Sequence, residues 1–228
     1  MDGTKGTGTK VGVIDSGVHV GHPHINGVAG GVSIDRDGRI ADQEFTDLLG
    51  HGTAVMAAIQ EKAPEAEYYA VRVFERELRT SARALEAALD WCFSNAMDAV
   101  NLSLGTTNEA HRRMFEDAAQ RAETQGTVVF AAREADGIPC FPGSLPGVVG
   151  VEVDWECPRD SCTSRMVDGQ LVLRASGYPR PAPGVPLRRN LHGISFATAN
   201  ACGILVGSGR LREMMPACWR RAGTGGAA

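Results

Sequence analysis

Short runs of apolar, often β-branched residues alternate along the chain with segments whose apolar positions recur at helical spacing. The apolar runs predict buried strands of a parallel sheet, over residues 11–14, 68–74, 99–104, 128–132 and 147–153. The other segments predict helices over residues 51–60, 81–93, 112–124 and 195–206. Strands and helices in alternation are typical of an α/β fold, here with a mainly parallel central sheet and helices on both faces.

Two of the predicted helices have little polar surface. The helix over residues 195–206 is apolar nearly all round, which indicates a buried helix. Small residues dominate the helix over residues 51–60, so we expect it to pack closely against the sheet.

The chain is long enough for one sizeable core. It has 228 residues, of which 43% are hydrophobic and 22% charged, and it shows no internal repeat and no long linker. We therefore predict a single domain over residues 1–228, with its core at about 11–206. The Gly/Ala-rich tail, at about 220–228, is expected to be disordered.

Charge and hydropathy exclude some functions. The net charge of −4 and the pI of about 5.9 provide no basic field for nucleic acid or an anionic membrane. No apolar run approaches the roughly 20 residues that cross a bilayer, and the first residues, MDGTKGTGTK, lack the pattern of a secretory signal. We expect a cytoplasmic protein, although a leader or propeptide removed before Met1 would leave no trace. The oligomeric state is left open.

Six cysteines are scattered along the chain, and we expect them to be reduced thiols. Cys157 and Cys162 could instead form a loop disulfide or half of a zinc site. No second pair and no histidine lies nearby at metal-ligand spacing, so neither a metal nor another cofactor is expected.

Three short motifs carry candidate catalytic residues. They are VGVIDSGV around Asp15, GHGTAVMAAI around His51 and HGISFATANACGI around Ser195. A serine hydroxyl becomes a nucleophile when an imidazole takes its proton and a carboxylate orients that imidazole. Taken singly, Asp15 could be a turn former, His51 a loop histidine and Ser195 a helix cap. Their matching contexts favour catalysis instead.

With these motifs in the order Asp, His, Ser, the chain resembles the subtilisin-like serine proteases, the subtilases, over roughly residues 11–205. The resemblance implies a three-layer sandwich and hydrolysis of peptide bonds in an extended peptide or protein substrate through an acyl-enzyme. Asp15 would orient His51, and His51 would act as general base and then general acid. Ser195 would be the nucleophile, with its backbone amide in the oxyanion hole.

Two further segments resemble substrate-binding parts of subtilases. The sequence NLSLG is similar to the strand whose Ser-Leu-Gly backbone pairs with an extended substrate, which implies that Ser103, Leu104 and Gly105 bind substrate. The run FPG resembles the loop that closes the pocket for the residue before the cut, and Cys140 precedes it. We expect that pocket to take a small or medium apolar residue. The loop that binds calcium in secreted subtilisins is shortened, so no calcium is expected there.

The chain departs from the subtilase pattern at the oxyanion hole. Where subtilases carry Gly-Asn, it has Arg133-Glu134, so Glu134 takes the position of the Asn donor. An ionised carboxylate there would repel the oxyanion. Glu134 could be protonated and donate, it could pair with Arg133 and swing away, or the enzyme could be weak or inactive. Ile194 and Ala199 also replace the Thr and Pro of the family pattern around the serine.

Three functions fit these residues. A working serine endopeptidase is favoured because all three catalytic residues stand in their motifs. A pseudoprotease would bind extended peptides without cutting them, and Glu134 favours that alternative. A peptide ligase or macrocyclase would pass the acyl group to an amine, in the maturation of a small peptide.

Overall fold

The structure is a computed structural model that describes residues 4–135, 137–211 and 213. The tail predicted to be disordered, at about 220–228, lies outside the described residues, as does Cys218.

The regular elements follow one another along the chain as a mixture of strands and helices. The strands are β1 (Lys10–Asp15), β2 (Gly30–Ile34), β3 (Ile40–Asp42), β4 (Glu67–Arg72), β5 (Ala99–Leu102), β6 (Val128–Ala132), β7 (Glu134–Ala135), β8 (Ile138–Pro139), β9 (Val149–Val153), β10 (Cys162–Val167) and β11 (Gln170–Ala175). The α-helices are α1 (His51–Gln60), α2 (Ala82–Ser94), α3 (Arg112–Gln125) and α4 (Ile194–Ser208). Two short 3-10 helices, Glu109–His111 and Leu187–Arg189, lie between them.

Within the described residues, nine strands form one sheet in the order β10-β11-β9-β6-β5-β1-β4-β2-β3. The five strands predicted from the sequence are its five adjacent central strands, β9, β6, β5, β1 and β4, and all of them pair in parallel. Antiparallel pairs, β2–β3 and β10–β11, occur only at its two edges. The mainly parallel α/β sheet is therefore confirmed.

Helices cover both faces of this sheet. Successive side chains of a strand point to opposite sides, so the apolar central strands present an apolar surface on each face. In β1, Val11 and Val13 belong to the core that includes α1 and α4. Ile14 belongs to the core on the other face, which includes α2 and α3. The result is the three-layer arrangement that the resemblance implied.

The structure corrects several element boundaries. The strand predicted over residues 99–104 ends at Leu102, so Ser103 and Leu104 lie beyond the sheet. The strand predicted over residues 68–74 ends at Arg72. The helix predicted from Ser195 begins one residue earlier, at Ile194.

The described cysteines are free thiols in this structure: Cys92, Cys140, Cys157, Cys162 and Cys202. No disulfide therefore joins Cys157 to Cys162 in this structure. In the described part of the chain, no cluster of three His, Cys, Asp or Glu side chains could hold a metal ion. None of the described helices is both long and apolar enough to span a membrane.

Candidate active site

Asp15 and His51 meet at the carboxyl edge of the sheet. Asp15 is the last residue of β1 and His51 the first of α1. Asp15 Oδ1 lies 2.7 Å from His51 Nδ1, and Asp15 is only 1% exposed. Burial by itself would lower the pKa of His51. The hydrogen bond and charge of Asp15, with the charge of Asp47, outweigh it and raise that pKa above its usual value.

Ser195 lies beside this pair. The imidazole of His51 packs against the ring of Phe196, the residue after Ser195, with ring centroids 5.7 Å apart. Ser195 Oγ donates to the carbonyl oxygen of Ser103 at 3.2 Å. Among the described hydrogen bonds, none joins Ser195 to His51. The structure thus brings the three predicted residues to one place, with the serine hydroxyl turned toward Ser103.

The start of α4 offers free backbone donors at Ser195. The amides of Phe196 and Ala197 donate to the carbonyl of Gly193, but within the described residues the Ser195 N–H has no acceptor. The first N–H groups of a helix lack internal partners and carry partial positive charge. The Ser195 N–H is therefore not used by any described acceptor, and its role in an oxyanion hole stays a prediction.

Asp47 is a functional candidate that the sequence did not indicate. Its Oδ1 accepts from the Ser16 hydroxyl and from the amides of Leu49 and Gly50. Its Oδ2 accepts from the amide and the hydroxyl of Thr53 at 2.9 and 2.6 Å. Burial tends to raise the pKa of Asp47, but these hydrogen bonds outweigh it and hold that pKa below its usual value. The carboxylate thus fixes the loop that presents His51. In the sequence, the only feature that could have indicated Asp47 is its position four residues before His51.

Two glycines flank His51 for different reasons. Gly50 has a φ of +80°, a left-handed conformation that costs other residues free energy. At Gly52 the constraint is space, since a Cβ would lie 2.3 Å from the carbonyl oxygen of Gly17. Together they let the chain turn sharply and pack closely while His51 faces Asp15.

The segment Ser103, Leu104, Gly105 leaves the sheet beside Ser195. No described residue accepts a hydrogen bond from the backbone N–H of Leu104 or Gly105. Just beyond it, Thr106 and Phe141 pair through both of their backbone groups, at 3.0 and 2.8 Å. An extended backbone with unused donors can accept an added strand.

Cys140 lies beneath this segment. Its side chain is 2% exposed, and Sγ donates to the carbonyl of Ala132 at 3.1 Å. A Cβ added at Gly105 would lie 3.2 Å from that sulfur. Burial, followed by the charge of Glu134, raises the pKa of Cys140 to about 11, so the group is a neutral thiol at physiological pH.

Glu134 lies on a two-stranded ribbon, where β7 pairs with β8 and Glu134 stands opposite Pro139. Its side chain is half-buried, with no hydrogen bond or ion pair to any described residue. The guanidinium of Arg133 instead donates to Glu152 Oε1 at 3.0 Å. The Arg133–Glu134 pair considered from the sequence therefore does not form in this structure.

Comparisons with known proteins agree with this geometry. A family model described as the subtilase family matches residues 6–136, which include Asp15 and His51. The chain is 34% identical over 211 residues to the minor extracellular protease Epr of Bacillus subtilis, covering 79% of this chain and 31% of that protein. It is 30% identical to subtilisin BL of Lederbergia lenta over 209 residues, covering 87% and 72% of the two chains.

A third relative, subtilisin DY of Bacillus licheniformis, is 30% identical over 224 residues and covers 88% of this chain and 76% of its own. The chain thus spans about a third of one relative and about three quarters of two others. The family match extends over more than half of the chain, and the pairwise matches extend over most of it. The chain therefore belongs to the subtilase family, the subtilisin-like serine proteases.

Proposed function

We propose that this protein is a serine endopeptidase that uses Asp15, His51 and Ser195 and an acyl-enzyme intermediate. The observation that carries the proposal is the 2.7 Å contact between Asp15 and a histidine whose ring packs on the residue after Ser195. A buried carboxylate on Nδ1 holds the tautomer in which Nε2 is free to accept a proton.

In the proposed reaction, Ser195 Oγ leaves the Ser103 carbonyl and attacks the scissile carbonyl carbon while its proton passes to His51 Nε2. The carbonyl oxygen becomes an oxyanion and accepts a hydrogen bond from the Ser195 amide. His51 then gives its proton to the leaving amine as the C–N bond breaks, leaving an ester on Ser195. Water attacks that ester with His51 again as base, and this step releases the acid and restores the hydroxyl.

We propose that the acyl part of the substrate binds as an extended strand along Ser103, Leu104 and Gly105. The unused N–H groups of Leu104 and Gly105 support this assignment. Cys140 forms the base of the pocket for the residue before the cut, and its bulk beneath Gly105 favours a small or medium apolar side chain.

A pseudoprotease is the second candidate, and Glu134 is the observation that favours it. A carboxylate without a described ion-pair partner, in the position of an oxyanion donor, would oppose the reaction instead of assisting it. Such a protein would still bind extended peptides. The cytoplasmic location stays a prediction, and the relative Epr is named as an extracellular protease.

Product analysis tests the proposal. A mixture of peptides is incubated with the native protein, and the products are weighed by mass spectrometry in water and with an added amino-acid amide. Hydrolysis predicts two fragments whose summed mass exceeds that of the substrate by one water. Fragments joined to the added amine would indicate a ligase, and intact peptides retained by the protein would indicate a pseudoprotease.

A further inference from the structure

A cavity of about 600 Å³ lies against the segment that carries His51. Three segments line it: the loop after β1, residues 47–57 before and within α1, and the loop that leads to α4. Gly50 and Thr53, which flank the His51-Gly52 pair, belong to its wall, and so does Asn190, five residues before Ser195. No residue of the segment 103–105 or of the loop 140–143 is among the lining residues.

The lining of this cavity is mainly apolar and uncharged. Leu48, Ala54, Ala57, Pro179 and Pro183 contribute apolar surface. The two ionic side chains of the lining already have partners. Asp47 is saturated by five hydrogen bonds, and Arg180 Nη1 donates to the carbonyl of His24 at 3.2 Å.

Three histidines, His19, His22 and His24, line one wall of the cavity. His22 Nδ1 accepts from the amide of His24 at 3.1 Å, and the two rings meet edge to face at 5.2 Å. Burial, followed by the charges of Arg180 and His22, lowers the pKa of His24, so that its ring is neutral at pH 7. The His24 ring, with Pro23, Pro179 and Pro183, gives the cavity surface suited to an apolar side chain.

Exposed apolar residues gather on the loops that form this cavity. Val20, Leu48, Val185 and Leu191 lie on these loops, and each is well exposed to solvent. Of these four, Leu48 lines the cavity itself, and the other three are within two residues of lining residues in the sequence. Exposed apolar side chains near a cavity are typical of a binding surface.

We propose that this cavity binds an apolar side chain from one of the first two substrate residues after the scissile bond, on the leaving-group side. This inference rests on the proposed peptidase function. A peptide that enters along the segment 103–105 and crosses Ser195 continues toward the walls formed by α1 and the loop before α4. The cavity therefore makes this subtilase select for a large apolar residue on the leaving-group side.

The test uses internally quenched peptides. Each of the four positions before the cut holds an equimolar mixture of amino acids. Three sets differ at the two positions after the cut, which hold Leu-Phe, Gly-Gly or Glu-Glu. The Glu-Glu set tests whether Arg180 makes the cavity prefer acidic residues. We expect kcat/KM to be at least about ten-fold higher for the Leu-Phe set, since even a single methylene in an apolar pocket discriminates by about 10-fold or more.

Two variants test whether the preference for Leu-Phe arises from this cavity. Ala54→Leu fills it from α1, and Leu48→Asp puts a charge on its rim, where the leucine is 66% exposed and little folding free energy is at stake. Both should reduce the Leu-Phe to Gly-Gly ratio to within about two-fold of unity. The matched control Leu78→Asp changes another exposed leucine, outside this cavity, and should leave the ratio unaltered.

The possible outcomes separate this inference from the peptidase function. Cleavage without a Leu-Phe preference, a Glu-Glu preference, or a preference that both variants retain would overturn the inference alone. Absence of cleavage in every set, with no labelling of Ser195 by a fluorophosphonate, would overturn the peptidase function and this inference with it.

Discussion

The hydroxyl of Ser16 donates to Asp47 Oδ1 at 2.8 Å, and Ser16 Oγ in turn accepts from the amide of Gly52 at 2.8 Å. Ser16 follows Asp15 and Gly52 follows His51, so one hydroxyl joins the two segments that carry the acid and the base. Asp47 anchors this hydroxyl and also the start of α1. The Asp15–His51 distance is therefore supported by a network that lies behind both residues.

Asp47→Asn should destabilise the protein. The side chain of Asn has one acceptor oxygen where the carboxylate has two. The backbone N–H and the hydroxyl of Thr53 therefore lose the oxygen to which both donate. A buried donor left without an acceptor costs about 1–3 kcal/mol. Urea denaturation should show this loss. Asp35→Asn is the matched control, because Asp35 also accepts from two backbone N–H groups but in an exposed turn. An equal loss in both variants would contradict the role of Asp47.

The stabilisation by Asp47 should also depend on pH. Its pKa is lowered in the folded protein, so its contribution is complete above the unfolded-state pKa of about 3.9 and is lost as pH falls through the lower folded value. The stability difference between the native protein and Asp47→Asn should therefore shrink in this acidic range. Denaturation series from neutral pH down to the acid transition measure it, and a constant difference would contradict the prediction.

The pH dependence of serine reactivity should follow His51. Its pKa is raised, and catalysis needs the neutral ring, so reactivity should rise with pH through a value above the usual 6.5 of histidine. Asp47→Asn removes one of the charges that raise this pKa and should move the acid limb to lower pH. The rate of fluorophosphonate labelling against pH gives both curves. An acid limb that stays in place or moves to higher pH in the variant would contradict the electrostatic effect of Asp47 on His51.

Glu134→Asn tests the unusual oxyanion position. In subtilisin, loss of the Asn donor costs about 10²–10³ in rate. If Glu134 occupies that position as a carboxylate, the Asn variant should label faster at neutral pH by about ten-fold or more. Glu134→Gln keeps the longer side chain and separates charge removal from donor placement. Slower labelling in both variants would instead assign a useful role to the acid.

The two glycines beside His51 should respond differently to alanine. At Gly52 a Cβ meets the backbone of Gly17 at 2.3 Å, which requires movement next to His51 and costs about 1–3 kcal/mol or more. At Gly50 there is open space, and only the left-handed backbone opposes alanine, by about 1–2 kcal/mol. Serine labelling should therefore fall sharply in Gly52→Ala and much less in Gly50→Ala. Equal effects on labelling would contradict this distinction.

The features predicted correctly from the sequence are those that a short contiguous run of residues determines. The five central strands are short apolar runs, and Asp15, His51 and Ser195 each stand inside a motif. The edge strands were missed because β10 is polar and exposed, while β2 begins with two glycines. Asp47 and the cavity were missed because their partners come from separate loops. The histidines of the loop after β1 stand in no catalytic motif, and only the fold brings them to one cavity with Leu48 and Pro179.

The most direct test of the account is labelling by a fluorophosphonate probe of the native protein and of Ser195→Ala, across acid, neutral and mildly alkaline pH. Ser208→Ala is the matched control, because Ser208 lies in the same helix and its hydroxyl donates to the carbonyl of Leu205, away from the site. We predict labelling of the native protein and of Ser208→Ala on the peptide that contains Ser195, and none in Ser195→Ala. A folded native protein that stays unlabelled at every pH, or undiminished labelling in Ser195→Ala, would contradict the proposed catalytic serine.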